Sequence, residues 1–453
     1  MRGRIAATRT ARAREILTKL APQILVACRD SGQPDEAFYR FSDFLSRLRA
    51  GVTVLSMFLA KPETLAMLIN LIALAPKLAG KLAEHPESLY VLIEPMRHAG
   101  EAGETAFDDP EAAMNRVRIE AGEVQFETGA RLLTGALSPR DAAVRYSRQA
   151  DRAVQIILPQ ARANAAQSLT APEGLDYAVI ALGKMGSLEM SQLSDLDLMV
   201  LYRAKEGAGD AHGFAARMTK RLIRYMTAVT EDGPLYEVDM ALRPSGGAGP
   251  ITVSQAAFDS YYADKAWTWE YMALTRARVV AASSEAYADF LSKRIAQVLQ
   301  TAGEQDKITA DILDMRRRLW AEKAPRSEWD IKRVRGGRID LEFIIQGLSL
   351  MAARGGLAVT GHIREAIGPL EKAGYLAAEE SGALRGAYDF LESLRQCFAV
   401  CLTDLFDPSA ATDRLKEVLC EIVGAADFKA LQMDYSLHRK HVKSIFESRF
   451  GTL

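Results

Sequence analysis

Over the first 165 positions, apolar residues recur at intervals of three and four, the spacing that lines one face of a helix. "AREILTKLAPQILVACRD", "AFYRFSDFLSRLRA" and "TLAMLINLIALA" follow it, and "SPRDAAVRYSRQADRAVQIILPQARANAA" carries it furthest. In the last stretch Ser138 is placed to cap the first turn, with Pro139 at the first helical position, where its missing N–H costs nothing. The pattern changes at Leu175. "DYAVIALG" and "DLDLMVLY" read as short strands, "AHGFAARMTKRLIRYMTAVT" as a helix, "EDGP" as a turn and "LYEVDMALRP" as a third strand. Helical spacing resumes near Gln255 with "QAAFDSYYADKAWTWEYMALTRARVVAA" and runs through "ITADILDMRRRLWAEKA" to the C-terminus. The expected fold is therefore mostly α with one α/β domain, a small mixed sheet flanked by helical domains. The expected division is a helical region at 1–165, a sheet-bearing domain at 166–290 and a helical bundle at 291–453.

A length of 453 residues exceeds what one core can organise, which agrees with two or three domains. A formal net charge of −1 gives no electrostatic reason for nucleic acid or an anionic membrane as partner, and neither is expected. "TLAMLINLIALA" lies between Glu63 and Pro76 and is shorter than the roughly 20 residues of a membrane span, so it reads as a buried helix. The arginine-rich start, "MRGRIAATRTARAREILTKLAP", superficially resembles a transit peptide. It lacks a cleavage-type region and runs into an amphipathic pattern, so it is expected to be structure. The cysteines, Cys28, Cys397, Cys401 and Cys420, have no C-x-x-C spacing. Cys397 and Cys401 stand one helical turn apart among apolar residues, as reduced core cysteines of a cytoplasmic protein would. His438 and His441 have no ligand cluster nearby and read as a solvated helix end.

The candidate chemistry sits on the strands. Asp195 and Asp197 are two apart and so share a face, while Leu196 and Leu198 turn the other way. Glu237 and Asp239 share a face on the third strand. If the two strands are neighbours, three or four carboxylates meet at one sheet edge. Two like charges ~4 Å apart repel by about 4 kcal/mol at an effective dielectric near 20, so such a group calls for a cation. All-oxygen ligands suit Mg²⁺ or Mn²⁺, and two such ions roughly 3.5–4 Å apart clamp in-line displacement at phosphorus. In the turn "GKMGS", Gly183 and Gly186 permit close backbone approach and Ser187 offers an amide and a hydroxyl to phosphate. Lys184 is either a phosphate-neutralising cation or a surface lysine. The spacing is neither a P-loop nor a dinucleotide fingerprint.

Gly-Ser, a short spacer, D-h-D-h on an apolar strand (h, hydrophobic) and a later h-D-h together resemble the nucleotidyltransferase superfamily typified by DNA polymerase β. The resemblance implies a sheet of nucleotidyltransferase type and a catalytic domain at 166–290. It implies that Gly186 and Ser187 hold a triphosphate; Lys184, Ser194 and Arg243 are further candidates for nucleotide contact. Asp195 and Asp197 would bind metal and Asp239 would complete the triad and help deprotonate the attacking hydroxyl, with Glu237 beside it. Four segments narrow the likeness: "GKMGSLEMSQLSDLDLMVLY", "LYEVDMALRPSGGAGPITVSQAAF", "AWTWEYMALTRARVV" and "RGGRIDLEFIIQGLSL" follow one another as in the glutamine synthetase adenylyltransferase family. "EVD-x-x-LRPSG" and "AWTWE" look like the C-terminal, AMP-adding half of that two-half enzyme, and "ATRTARAREILTKLAP" looks like the segment joining the halves.

That family implies ATP as substrate, Mg²⁺ or Mn²⁺ as cofactor, a tyrosine of glutamine synthetase as acceptor, a PII signal protein as partner, and a cytoplasmic location. The chain departs from the family pattern at Ser187, where a second glycine is usual, at Ala241, where arginine is, and at Tyr271, where histidine is common. One catalytic domain is present, so the AMP-removing activity of the other half is expected to be missing. The alternatives are that this is the phosphorolytic, AMP-removing half, or a non-catalytic module that binds glutamine synthetase or PII. Arg243 and "PSGGAG" either face the triphosphate or close a loop. Asp340 and Glu342 after "RGG" either lie near the nucleotide or begin a solvated helix. Trp267, Trp269 and Glu270 are expected in core packing with a cap, and Arg316 to Arg318 on a solvated face.

Overall fold

The computed structural model describes residues 6–48, 51–92, 96, 109–192, 194–205, 207, 209–229 and 235–452. Helices α1 (Ala11–Asp30), α2 (Pro34–Arg47), α3 (Gly51–Ala60), α4 (Pro62–Leu74) and α5 (Pro76–Glu84) come first, then the longer α6 (Pro110–Leu133) and α7 (Pro139–Ala166). The sheet region follows as β1 (Asp176–Ala181), the single turn α8 (Gly183–Gly186), β2 (Leu196–Arg203), α9 (Ala211–Thr227), β3 (Val238–Asp239), β4 (Val253–Ser254), α10 (Gln255–Asp264), α11 (Thr268–Leu274) and β5 (Arg278–Ala282). The chain ends in α12 (Glu285–Leu299), α13 (Gln305–Glu322), α14 (Arg338–Arg354), α15 (Ile363–Lys372), α16 (Ala378–Cys401), α17 (Asp413–Val423) and α18 (Phe428–Phe450). The mostly helical fold with one small mixed sheet is as expected. The "EDGP" turn lies outside the described residues.

Helix starts follow their chemistry. Ser138 Oγ accepts from Asp141 N at 3.1 Å ahead of Pro139, as the sequence predicts. Thr10, Asp210, Ser254, Ser284 and Thr412 cap α1, α9, α10, α12 and α17 in the same way, and α2, α4 and α5 each open on proline.

The chain forms two compact units. The first draws on Met1–Arg97, Gly122–Ala142 and Ser393–Met433. Its described part is helical, with Ile16, Leu20, Phe41, Phe44, Val54, Phe58 and Leu68 buried. Lys77 Nζ donates to Ala399 O at 2.9 Å, joining α5 to the distant α16. No single described helix is long and apolar enough to cross a membrane. The pair α3 and α4 meets that test only jointly, and it is bent by 111° with Val54, Leu55, Phe58, Leu65, Leu68 and Ile69 at 0–1% exposure, which marks core helices. All four cysteines are free and buried.

The second unit, His98–Ala121, Ala143–Glu392 and Asp434–Leu453, contains the sheet. The described strands make one five-stranded sheet with β3-β2-β1-β5 in order and β4 also paired to β2. β2 runs antiparallel to β1 from Asp176↔Arg203 to Ala181↔Leu198, and parallel to both β3 and β4. Its run Leu198–Leu201 is buried throughout, and β2 has strands paired on both of its edges. Ala178, Ile180, Met199 and Leu201 enter a core with Phe258, Tyr262, Leu291, Ile344 and Leu348.

Two expectations change here. The helical stretch expected over 255–282 breaks after Asp264, restarts at Thr268 and then becomes strand β5, which pairs with β1. Val279 and Val280 are β-branched residues beside an open strand edge, and pairing there overrides local helical spacing. The third strand is far shorter than "LYEVDMALRP", because Asp239 Oδ1 accepts from Ala241 N at 2.7 Å and turns the chain.

Candidate active site

Asp197 lies near the start of β2, and its register partner across the parallel pair is Asp239 of β3. Adjacent strands stand about 4.8 Å apart and paired residues project to one face, so the two carboxylates are neighbours. Asp195, two residues before Asp197, is exposed, as are Asp239 and Glu237. The Glu237 carbonyl accepts from Leu196 N at 2.9 Å and holds β3 in register. The Asp197 carboxyl is held above the ordinary carboxylate range. Burial is the main cause, the Asp239 charge adds to it, Lys184 and Arg276 oppose it, and Asp195 raises it further.

The turn after β1 closes on this carboxylate. Gly183 adopts φ +49°, and a Cβ added there would overlap Asp197 Oδ2. Gly186 is equally confined, since a Cβ would strike the carbonyl oxygens of Arg276 and Ala181. Glycine at both positions lets the backbone of the turn lie against the acidic edge. Ser187 is buried, and its hydroxyl donates to Gly183 O at 3.1 Å while accepting from Arg276. Ser194 Oγ accepts from Ser191 N at 2.9 Å and so shapes the approach to Asp195.

The structure thus brings Asp195, Asp239 and Lys184 into electrostatic range of Asp197, with the Gly183–Ser187 turn against that carboxylate. Arg243 spends Nε, Nη1 and Nη2 on the carbonyls of Pro250, Met240 and Gly249, closing the loop that contains "PSGGAG". Asp340 is fully buried against Arg316 and accepts from Gly336 N at 2.5 Å, so it is no solvated helix start. Glu342 pairs with Arg276 and Arg338. Arg316, expected on a solvated face, is 1% exposed because Asp340 takes its charge and the Arg333 carbonyl takes another donor. Trp267 and Trp269, expected in the core, are 66% and 38% exposed. Glu270 does act as a cap, accepting from Trp267 N at 2.9 Å.

Two arginines around the turn escaped the sequence reading. Arg276 reaches Ser187, Glu189 and Glu342. Arg278 donates to Gly186 O at 3.2 Å and Met185 O at 3.0 Å while pairing bidentately with Asp151. The available signal was their spacing in "TRARVV", two cations two residues apart entering a β-branched run.

Among the described residues no three carboxylate, imidazole or thiol groups form a finished ion cage. The donor chemistry nevertheless fits a hard divalent cation. Asp197 and Asp239 are adjacent, and every side-chain donor at this edge is a carboxylate oxygen, the ligand type such an ion prefers. A cation held there would lie beside a turn whose glycines let its backbone approach the acidic edge closely.

Residues 65–293 match the family described as glutamate-ammonia ligase adenylyltransferase, and residues 305–450 match that described as GlnD PII-uridylyltransferase. The chain is 38% identical to the bifunctional glutamine synthetase adenylyltransferase/adenylyl-removing enzyme of Caulobacter vibrioides, over 98% of this chain and 46% of that protein. It is 33% identical to the proteins of that name from Agrobacterium fabrum and Rhizobium meliloti, over 98% of this chain and 47% of each. The chain therefore spans about half the length of the curated relatives it matches. A match over half of its residues, covering Asp195, Asp197 and Asp239 alike, assigns the chain to the glutamate-ammonia ligase adenylyltransferase family.

Proposed function

We propose that this chain transfers AMP from ATP to a tyrosine hydroxyl of glutamine synthetase, releasing pyrophosphate. The observation that carries the reading is the direct pairing of Asp197 with Asp239 at the edge where the Gly183–Ser187 turn closes. In this assignment Asp195, Asp197 and Asp239 hold Mg²⁺ or Mn²⁺. When bound, the metal supplies Lewis-acid stabilisation of charge on the phosphates. The turn at Gly186 and Ser187 cradles the triphosphate, with Lys184 offsetting its charge and Ser194 steadying the segment before Asp195. Asp239 takes the proton as the tyrosine oxygen attacks the α-phosphorus, and the bond from that phosphorus to the β-phosphate bridging oxygen breaks. Catalysis is then mainly orientation and charge complementarity.

The catalytic part is assigned to 166–290, between helical regions 1–165 and 291–453. The match of 305–450 to a PII-uridylyltransferase family supports assigning PII response to the C-terminal helices. Cytoplasmic location accords with an ATP-consuming reaction on a metabolic enzyme. The test is transfer of labelled AMP to purified glutamine synthetase by the wild type and by Asp197→Asn. Labelling by the wild type alone supports the reading, and equal labelling by both refutes it. The relatives' name joins transfer to removal, and the chain matches under half of each, so phosphorolytic removal is the second reading. ADP released from adenylylated glutamine synthetase and phosphate would favour it.

A further inference from the structure

Arg276 has no part in holding ATP under that assignment, yet every face of its guanidinium is engaged. It is 5% exposed. Nε and Nη2 donate to Ser187 Oγ at 3.1 and 2.9 Å, Nη2 also to Glu189 Oε2 at 2.6 Å, and Nη1 to Glu342 Oε2 at 3.4 Å. The bonds continue outward. Glu189 also accepts from Tyr388 Oη at 2.5 Å, Glu342 from Arg338 Nη2 at 3.1 Å, and Arg338 pairs with Glu392. Arg338 and Glu342 stand on α14, and Tyr388 and Glu392 on α16, so an unbroken ionic path leads from the turn below Asp197 to two helices of the C-terminal bundle.

A buried ion network of this kind is weak evidence for stability, since desolvation offsets much of the attraction. Its geometric consequence is stronger. A planar guanidinium with fixed donor directions holds its acceptors at set positions, which an ammonium cannot do. One acceptor here, Ser187, closes the turn whose Gly183 backbone abuts the Asp197 carboxylate.

We propose that Arg276 is a positioning residue. Its guanidinium fixes the Gly183–Ser187 turn against Asp197 and ties that turn, through Glu342, to α14 and α16. The inference rests on the adenylyl-transfer reading for its turnover readout, and on no particular reaction for its binding readout.

The full chain is compared with Arg276→Lys, Glu342→Gln and, as a control for lost stability, Phe258→Leu in the sheet core. Three quantities are read well below the melting temperature: Mn²⁺ affinity by electron paramagnetic resonance in the presence of a non-hydrolysable ATP analogue, kcat for AMP transfer, and melting temperature. Arg276→Lys is expected to lower kcat and weaken Mn²⁺ binding by about 10–100-fold, the usual cost of losing a group that orients ligands. Glu342→Gln shifts both in the same direction by less, and Phe258→Leu leaves both within twofold despite a lower melting temperature. Arg276→Lys within twofold of wild type in both readouts, or no worse than Phe258→Leu, overturns the proposal. Should Arg276→Lys fail to fold, Glu342→Gln decides through the tie to α14: both readouts within twofold of wild type overturn the proposal. A wild type that transfers no AMP defeats the reaction assigned, while the Mn²⁺ measurement still decides the role of Arg276.

Discussion

Burial holds the Asp197 carboxylate at a cost. Its carboxyl is raised above the ordinary value by burial and by Asp239, so the folded protein keeps that proton to higher pH than the unfolded chain does. Stability therefore falls as pH rises through the window from the ordinary value to the raised one, and the penalty is fully present above it. Asp197→Asn removes the charge. In metal-free buffer at neutral pH it should raise the melting temperature by roughly one or two degrees, which calorimetry against wild type reads. The same change should lower AMP transfer by about 10³-fold, the equivalent of about 4 kcal/mol of lost charge stabilisation. A variant more stable yet inactive is the signature of a site built for a ligand. Gly183 tests the same contact from the backbone side. Gly183→Ala forces a side chain into a left-handed φ and against Asp197 Oδ2, and should cost about 1–2 kcal/mol from the backbone alone, measured by urea denaturation.

Elements were legible where local pattern and tertiary context agreed. β1 and β2 carry continuous apolar runs, Ala178–Ala181 and Leu198–Leu201, and α7 announces itself by Ser138 and Pro139. β5 was not legible, because "ARVVAA" takes its strand conformation from β1, almost 100 residues earlier. Arg316 and Asp340 were misread for a related reason. "MRRR" looks solvated until α13 packs on α14 and the two side chains meet. α14 carries a prediction of its own through Glu342. Burial disfavours its charge, but Arg276 and Arg338 outweigh that and hold the carboxyl lowered to about 2. The contribution to stability is then fully present above the ordinary value of 4.5 and is lost as pH falls from there toward about 2. Glu342→Gln should flatten the acid limb of a melting-temperature-against-pH curve across that window.

At the scale of the molecule, periodicity could not reveal that the first unit is assembled from three separate stretches, since residues 393–433 lie far from residues 1–97 in sequence. Val400 packs at Gly129, and Ala399 accepts from Lys77, so the C-terminal stretch is part of that core. A fragment of residues 1–165 should accordingly melt without a cooperative transition, followed by circular dichroism. A sharp transition like that of the full chain would count against this. The site was more legible than the architecture, because Asp195, Asp197 and the turn at 183–187 are near in sequence and only Asp239 had to be brought in by pairing. The residues that steady the site, Arg276, Arg278, Glu189 and Asp151, needed the fold. The most direct test of the account is a crystal of the full chain with Mn²⁺ and a non-hydrolysable ATP analogue, read by anomalous scattering. The expected result is a manganese peak at the carboxylates of Asp197 and Asp239, with the triphosphate over the Gly183–Ser187 turn. An ordered nucleotide bound elsewhere, with neither carboxylate touching metal, would contradict it.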